Sequence, residues 1–285
     1  MKQTFREPPA GSYALVTGGS HGIGRSIAEI LARRGYNILL VALPTPELDL
    51  AKIELAQKYG VQVESVGLDL TCENAAQAVL TKFNQLDARL SILVNNAGIG
   101  YLSRFEDNPL SYYVKLIRLN AVAMVQMTHI FLPALRRESR AYILNMGSMA
   151  SLLPLPFKSV YAASKHFVKG FSLSLREELR SETISVTTVC PNAVLTNQHH
   201  RDSVRSVGWL AGISALTAQQ VAQESVMAMF RRKGIVVPGV ASKVYQAIHK
   251  MLPHRVVMSL LRRQLKKLIP VVSKFNFNHS QNTQP

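Results

Sequence analysis

The chain has 285 residues, 47% of them hydrophobic and 18% charged, with a formal net charge of +16 at pH 7 and two cysteines. That length accommodates one large α/β domain with a buried core, and the apolar share excludes a disordered chain. Cys72 and Cys190 cannot make a disulfide framework, and neither sits in a Cys/His cluster of ligand spacing. A reduced compartment, a cytoplasmic location and no metal are therefore expected. No apolar run approaches the ~18–20 residues of a membrane span. The polar first ten residues do not read as a secretory signal.

Charge is unevenly spread. Residues 225–285 hold 11 of the 33 basic residues and none of the 17 acidic ones, so this tail carries +11 and the remainder +5. A basic segment on a moderately basic body points to an anionic surface as partner. There is no base-reading motif or cluster of stacking aromatics, so nucleic acid is not expected.

Tyr13–Thr17 is a short β-type run ending in a glycine cluster, followed by helix-period residues from Ile23 to Arg34 with Gly35 as the stop. Asn37–Ala42 is a second apolar strand. Pro44 and Pro46 mark a turn before a helix that ends at Tyr59-Gly60. Further strands are expected at Val61–Leu68, Ser91–Val94, Ala141–Met146 and Ile184–Val189, with helical stretches at 72–87, 108–137 and 158–181. Apolar strands alternating with amphipathic helices imply a doubly wound α/β fold, a parallel sheet covered on both faces. Residues 11–240 read as one domain, with 241–285 as a basic amphipathic extension.

Thr17-Gly18-Gly19-Ser20-His21-Gly22-Ile23-Gly24 lies between the first strand and the first helix. Glycines let backbone approach a pyrophosphate, and the helix N-terminus offers unpaired N–H groups. A strand before and a helix after make this a nucleotide-site candidate. Tyr161 and Lys165 stand four apart in a helical stretch and so share one face. A tyrosine of pKa near 10 exchanges protons poorly at neutral pH, and a neighbouring ammonium favours its phenolate. Ser148 follows a strand at the carboxyl end of the sheet, where open α/β sheets bind ligands. Asn120 lies within a long helical pattern, where asparagine is a mediocre helix former.

These residues together resemble the short-chain dehydrogenase/reductase family. The resemblance is carried by Gly18-x3-Gly22-x-Gly24, Asp69, Asn95-Asn96-Ala97-Gly98, Asn120, Ser148 and Tyr161-x3-Lys165, in order, over about residues 11–240. It implies a Rossmann-type fold, a homodimer or homotetramer, and NAD(P)-dependent interconversion of a ketone and a secondary alcohol. Asn120, Ser148, Tyr161 and Lys165 would be catalytic, with Tyr161 as acid/base, Ser148 holding the substrate oxygen and Asn120 a proton-relay water. Thr17, Gly18, Ser20, His21, Gly22, Ile23, Gly24, Asp69, Leu70, Asn96, Ala97, Gly98, Tyr161 and Lys165 would meet the cofactor, Asp69 beside the adenine. Pro191-Asn192-Ala193-Val194-Leu195-Thr196 is similar to the family's nicotinamide-binding segment, with Asn192 where glycine is usual; Pro191, Val194 and Thr196 are its expected contacts.

Members that prefer NAD place an acid at the end of the second strand; here that position is Ala42, followed by Leu43 rather than arginine. His21, before the second loop glycine, can hydrogen-bond a 2′-phosphate. NADP(H) is therefore expected over NAD(H). Residues 196–222 form the expected substrate lid; the aliphatic side chains from Leu210 to Leu216 either pack that lid onto the body or meet an apolar substrate, expected to be a ketone of 3-oxoacyl, sphingoid or steroid type. The alternatives are an NAD-dependent alcohol or hydroxysteroid dehydrogenase and a non-catalytic nucleotide-dependent module. Thr217-Ala-Gln-Gln220 reads as a capping box. Val256–Ile269 is an amphipathic helix with Val257, Leu261, Leu265 and Leu268 on one stripe and Arg262, Arg263, Lys266 and Lys267 away from it. Such a helix can rest on an anionic membrane surface, giving a peripheral location, or pack on its own domain or a second subunit.

Overall fold

The computed structural model describes residues 8–192, 194–195, 216–240, 242 and 253–280. The apolar runs become strands β1 (Ser12–Thr17), β2 (Asn37–Ala42), β3 (Val63–Gly67), β4 (Arg89–Asn95), β5 (Ala141–Met146) and β6 (Ile184–Val189). Three two-residue strands were not anticipated. β7 (Val194–Leu195) and β8 (Leu216–Thr217) pair with each other, while β9 (Ile235–Val236) joins the main sheet beside β6. That sheet is parallel, in the order β3-β2-β1-β4-β5-β6-β9. The order reverses between β1 and β4, and such a reversal opens a crevice at the carboxyl ends of the strands.

The helices are α1 (Gly22–Ala32), α2 (Pro46–Tyr59), α3 (Ala75–Asn84), α4 (Leu110–Ile117), α5 (Ala123–Arg136), α6 (Ser159–Glu178), α7 (Ala218–Phe230) and α8 (His254–Ser280). Successive strand residues serve opposite faces. Ala14 and Val16 pack with Ile27, Leu31, Leu55 and Val226 of α1, α2 and α7, whereas Tyr13 and Leu15 pack with Val79, Phe83 and Phe131 of α3 and α5. Both faces are therefore covered, which is why β1, β2 and β4 are almost uniformly apolar rather than alternating. The Thr217 hydroxyl accepts a hydrogen bond from the Gln220 N–H at 3.2 Å and the Gln220 side chain accepts from the Thr217 N–H at 2.9 Å. α7 starts at this reciprocal cap.

The helical stretch expected at 108–137 is interrupted: a single π-helical turn, Arg118–Val122, separates α4 from α5. By length and composition alone, Leu110–Arg136 is apolar enough to cross a membrane, with a mean hydropathy of 1.2, contrary to the sequence expectation. Its Met127, Phe131 and Leu135 side chains are committed to the core.

Beneath the crevice runs a chain of buried amides and hydroxyls. The Asn95 amide donates to Thr128 on α5 at 3.0 Å and to the Asn145 carbonyl oxygen on β5 at 2.8 Å; the Asn145 amide donates to Ser172 on α6 at 2.8 Å. In a low-dielectric core such bonds are strong, and leaving one unmade is costly.

At the C-terminal end, α8 extends beyond the expected 256–269. Val257 and Leu261 are buried and Leu265 is partly buried, so this part of the stripe is packed rather than open. The Leu268 side chain lies outside what the structure describes, as do Thr196 and residues 197–215 of the expected lid.

Candidate active site

The Gly-rich loop turns where backbone must come close to backbone. Gly18 and Gly22 have φ of +64° and +61°, a region glycine enters without strain. At Gly24 a Cβ would strike the Gly18 carbonyl oxygen and the Asn96 amide. That amide donates to the carbonyl oxygens of Thr17 and Gly18 at 3.0 and 3.1 Å. The Thr17 hydroxyl accepts from the N–H groups of Asn96 and Ala97 at 2.9 and 3.0 Å. Thr17, Gly18, Asn96 and Ala97 thus lock the β1 loop to the end of β4, with Gly98 next in line.

α1 opens from this loop with His21 as its N-cap, no side-chain cap bond and no acid in its first turn. Its first N–H groups and dipole are left for an anion, which Ser20, Gly22, Ile23 and Gly24 would approach by backbone. This cradle fits the diphosphate of a dinucleotide. The Ser20 hydroxyl and His21 Nδ1 are 3.0 Å apart.

Asp69 follows β3. Its carboxylate accepts from the Thr71 N–H and hydroxyl at 2.9 and 2.8 Å and pairs with Lys115 at 3.0 Å. These contacts, the Thr71 N–H first, hold its carboxyl below the usual range. Leu70 beside it is buried.

β2 ends at Ala42 as expected, and Leu43 is 53% exposed. The sequence reading missed a nearby acid, Glu47 in the first turn of α2. The Thr45 side chain, the Glu47 N–H and, more weakly, the charge of His21 hold its carboxyl low. The signal was present as an acid just after the Pro46 helix start, but only the folded loop brings Glu47 near His21.

Asn120 sits in the π turn and is 3% exposed. Its oxygen accepts from the Ile99 N–H at 2.9 Å, and its amide donates to the Ile99 carbonyl at 2.9 Å and to the Ser164 hydroxyl at 3.1 Å. One side chain therefore pins the β4–α4 loop to α6. A Cβ on Gly98 would sit 2.9 Å from the Asn120 oxygen and 3.4 Å from Lys165 Nζ.

Ser148 caps the short turn after β5, its hydroxyl accepting from the Ala150 N–H at 3.1 Å. The Lys165 ammonium donates to the Met146 carbonyl at 2.9 Å and lies 5.9 Å from the centre of the Tyr161 ring. Gly100 passes so close to this ring that a Cβ would lie 3.0 Å from its edge. Met149 donates its N–H to the Pro191 carbonyl at 2.8 Å, tying the segment after β6 to the Ser148 turn. Val194 is in β7, though its side chain lies outside the description.

The electrostatics differ from the sequence expectation. Burial pushes the Tyr161 phenol up, opposed by a hydrogen bond from the Ser148 hydroxyl. Burial also lowers the Lys165 ammonium to about 8, with Cys190 opposing. Spacing had placed an ammonium beside the phenol; it could not show that both are desolvated, which disfavours both charged forms.

An aromatic wall flanks the site and was likewise not anticipated. Tyr101, Phe105, Tyr112 and Tyr113 interlock with ring centres 5.0–6.1 Å apart. The Tyr101 hydroxyl accepts from the Val160 N–H at 3.0 Å, capping the first turn of α6 from across the cleft.

A doubly wound sheet with a glycine cradle at its switch point and a Tyr/Lys/Ser/Asn cluster at its carboxyl edge defines a dinucleotide-binding α/β protein. The family model for short chain dehydrogenases matches residues 12–205, and the chain belongs to that family. A very-long-chain 3-oxoacyl-CoA reductase of Rattus norvegicus is 32% identical over 273 residues, 93% of this chain and 86% of the relative. The reductase of that name from Macaca fascicularis is 37% identical over 193 residues, 66% of this chain and 61% of its own length. Among solved structures, the chain is similar to a short-chain dehydrogenase of Sphingobium yanoikuyae in complex with NADPH. The TM-score is 0.72 at 29% identity, over 87% of this chain and 95% of that one. It is also similar to the bulky-bulky ketone specific alcohol dehydrogenase of Comamonas testosteroni, with a TM-score of 0.72 and 25% identity over 89% and 95% of the chains.

Proposed function

We propose that this protein is an NADPH-dependent reductase of apolar ketones, with long-chain 3-oxoacyl thioesters as its substrate class. The observation that carries this reading is the meeting of Ser148, Tyr161 and Lys165 at the carboxyl edge of the sheet, beside the glycine cradle. Reduced nicotinamide, when bound, supplies the hydride to the carbonyl carbon. The Ser148 hydroxyl orients the substrate oxygen. Tyr161 gives that oxygen its proton, and a phenol kept protonated by burial is in the right state to do so. Lys165, anchored on the Met146 carbonyl, supplies positive charge as the phenol loses its proton. Asn120 holds Ile99 and Ser164 and so keeps the loop and α6 in one geometry. The aromatic wall and the 3-oxoacyl-CoA reductases among the relatives support the apolar substrate. The missing acid at Ala42 and the NADPH-bound neighbour support NADPH, with Glu47 as the opposing charge.

Turnover by the purified chain across long-chain 3-oxoacyl, sphingoid and steroid ketones, with NADPH and NADH in parallel, tests this. We expect the 3-oxoacyl substrates to turn over, with NADPH preferred about tenfold or more in kcat/KM. Preference for NADH would overturn the cofactor assignment. Absence of turnover in both directions across the panel would overturn the reductase.

The exposed faces of α8 and α4 point to two partners. Arg255, Arg262, Arg263, Lys266 and Lys267 are exposed together with Val256 and Leu260, which suits peripheral contact with an anionic bilayer. We expect sedimentation with phosphatidylserine vesicles that is lost at about 0.5 M salt, because such contacts are screened. Equal binding to neutral vesicles would contradict this contact. Leu110, Val114, Ile117 and Phe167 are exposed on α4 and α6 and support a homo-oligomer; a monomer in sedimentation equilibrium would count against it.

A further inference from the structure

A second lysine stands at the catalytic tyrosine. Lys158 is the N-cap of α6, and its ammonium lies 5.5 Å from the centre of the Tyr161 ring, against 5.9 Å for Lys165. The ring face offers that cation only a modest cation–π attraction. It sits at the positive end of a helix dipole, burial lowers its pKa, and among the described residues no acid or hydrogen-bond acceptor meets it. A like charge occupies the same ring.

The placement is also held by a strained turn. Phe157, immediately before it, has φ of +63°, a conformation bulky side chains avoid. The turn is secured from outside: the Ser103 N–H donates to the Phe157 carbonyl at 3.2 Å and the Val160 N–H donates to the Tyr101 hydroxyl at 3.0 Å. What would relieve every one of these electrostatic penalties is negative charge on Tyr161.

We propose that Lys158 is a second cation serving Tyr161, stabilising the phenolate that forms as the tyrosine gives up its proton. The inference rests on the acid/base role of Tyr161. In the reducing direction the Tyr161 O–H bond breaks, its electron pair stays on the phenolic oxygen, and the proton forms the O–H of the product alcohol. The carbonyl carbon takes its hydride from reduced nicotinamide, which is oxidised. The ammoniums of Lys158 and Lys165, 5.5 and 5.9 Å from the centre of the ring, then stand near the charge so created and favour the transition state over the resting phenol.

Few other titratable groups face this pair. Tyr101 and Tyr112 come from the loop after β4 and from α4, the Tyr112 hydroxyl donating to the Gly100 carbonyl at 3.1 Å. Cys190, at the end of β6, faces Lys165, and burial pushes its thiol to about 11, so it is neutral. Ser148 contributes a hydroxyl. No carboxylate is placed against Tyr161 or Lys158 among the described residues.

The test compares the full-length wild type with Lys158→Met, Lys158→Gln and Lys158→Arg. Ketone reduction is measured between about pH 6 and 9, where the cations are present. Wild-type turnover tests the reductase reading itself, so failure of that reading is seen separately. We expect kcat to fall about tenfold at near-constant KM in the folded Met and Gln variants and to stay within about twofold with Arg, which keeps a charge there. In the Met and Gln variants the alkaline fall in kcat should move to higher pH, because Lys165 no longer faces a like charge. An unchanged kcat in the folded Met or Gln variant would overturn the proposal. So would a loss that Arg does not restore and that leaves the pH profile unshifted, which would mark Lys158 as merely structural.

Discussion

We expect replacing Tyr161 by Phe to lower ketone turnover by about 10³-fold while leaving dinucleotide binding almost unchanged. A positioned general acid contributes ~10²–10⁴-fold, and here the deleted atom is the one that would donate to the substrate oxygen. The ring itself stays: its edge against Gly100 and its faces towards the two lysines are retained by phenylalanine, so the loop after β4 keeps its path. Steady-state kinetics with fluorescence titration of the dinucleotide separates the two effects. Retained turnover would remove Tyr161 from the chemistry; a parallel loss of dinucleotide affinity would mean that the cradle had been disturbed instead.

Lys165→Met should make the protein more stable and less active at once. Burial holds the Lys165 ammonium near 8, against 10.5 for the free side chain. The unfolded chain therefore binds more protons between about pH 8 and 10.5, and stability rises with pH across that window. At pH 7 both states carry the proton and the full penalty is present, on the order of 3 kcal/mol by the shift alone. Methionine removes it but leaves the Met146 carbonyl without its donor, a loss of about 1 kcal/mol. A net gain of ~2 kcal/mol is about 5 °C in Tm for a chain of this size. The gain should shrink as the pH is raised towards 10.5. Thermal unfolding at pH 7 and pH 10 reads this directly, and a Tm below wild type at pH 7 would show that the lysine's bonds outweigh its desolvation.

How much of this was open to a sequence reading varied with the range of the interaction. β1, β2, β5 and β6 were legible because a strand buried on both faces is a bare apolar run, and Gly35 and Gly60 mark helix ends through a backbone preference of their own. The glycine cradle and the Tyr161/Lys165 pair were legible because spacing alone puts their residues on one turn or one face. The π turn at Arg118–Val122 was not, since one additional residue per turn scarcely alters apolar periodicity. Lys158 passed unremarked because its significance lies in the turn made by Phe157, and Glu47 because it reaches His21 only through the loop after β2. The direction of the Tyr161 and Lys165 shifts depends on burial, which neighbours far apart in the chain decide.

The buried Asn95–Asn145 chain has a mechanical consequence. Dispersion and apolar burial are non-directional, so helices lying on a greasy sheet have a slip plane along which small displacements cost little. The hydrogen bonds from Asn95 to Thr128 and from Asn145 to Ser172 index that plane: α5 and α6 can each engage it at one notch only. Asn120 leads into α5, and Tyr161 and Lys165 ride on α6. The alignment of Asn120, Tyr161 and Lys165 is thus set from below, as teeth on a rack set the position of a carriage that never touches them.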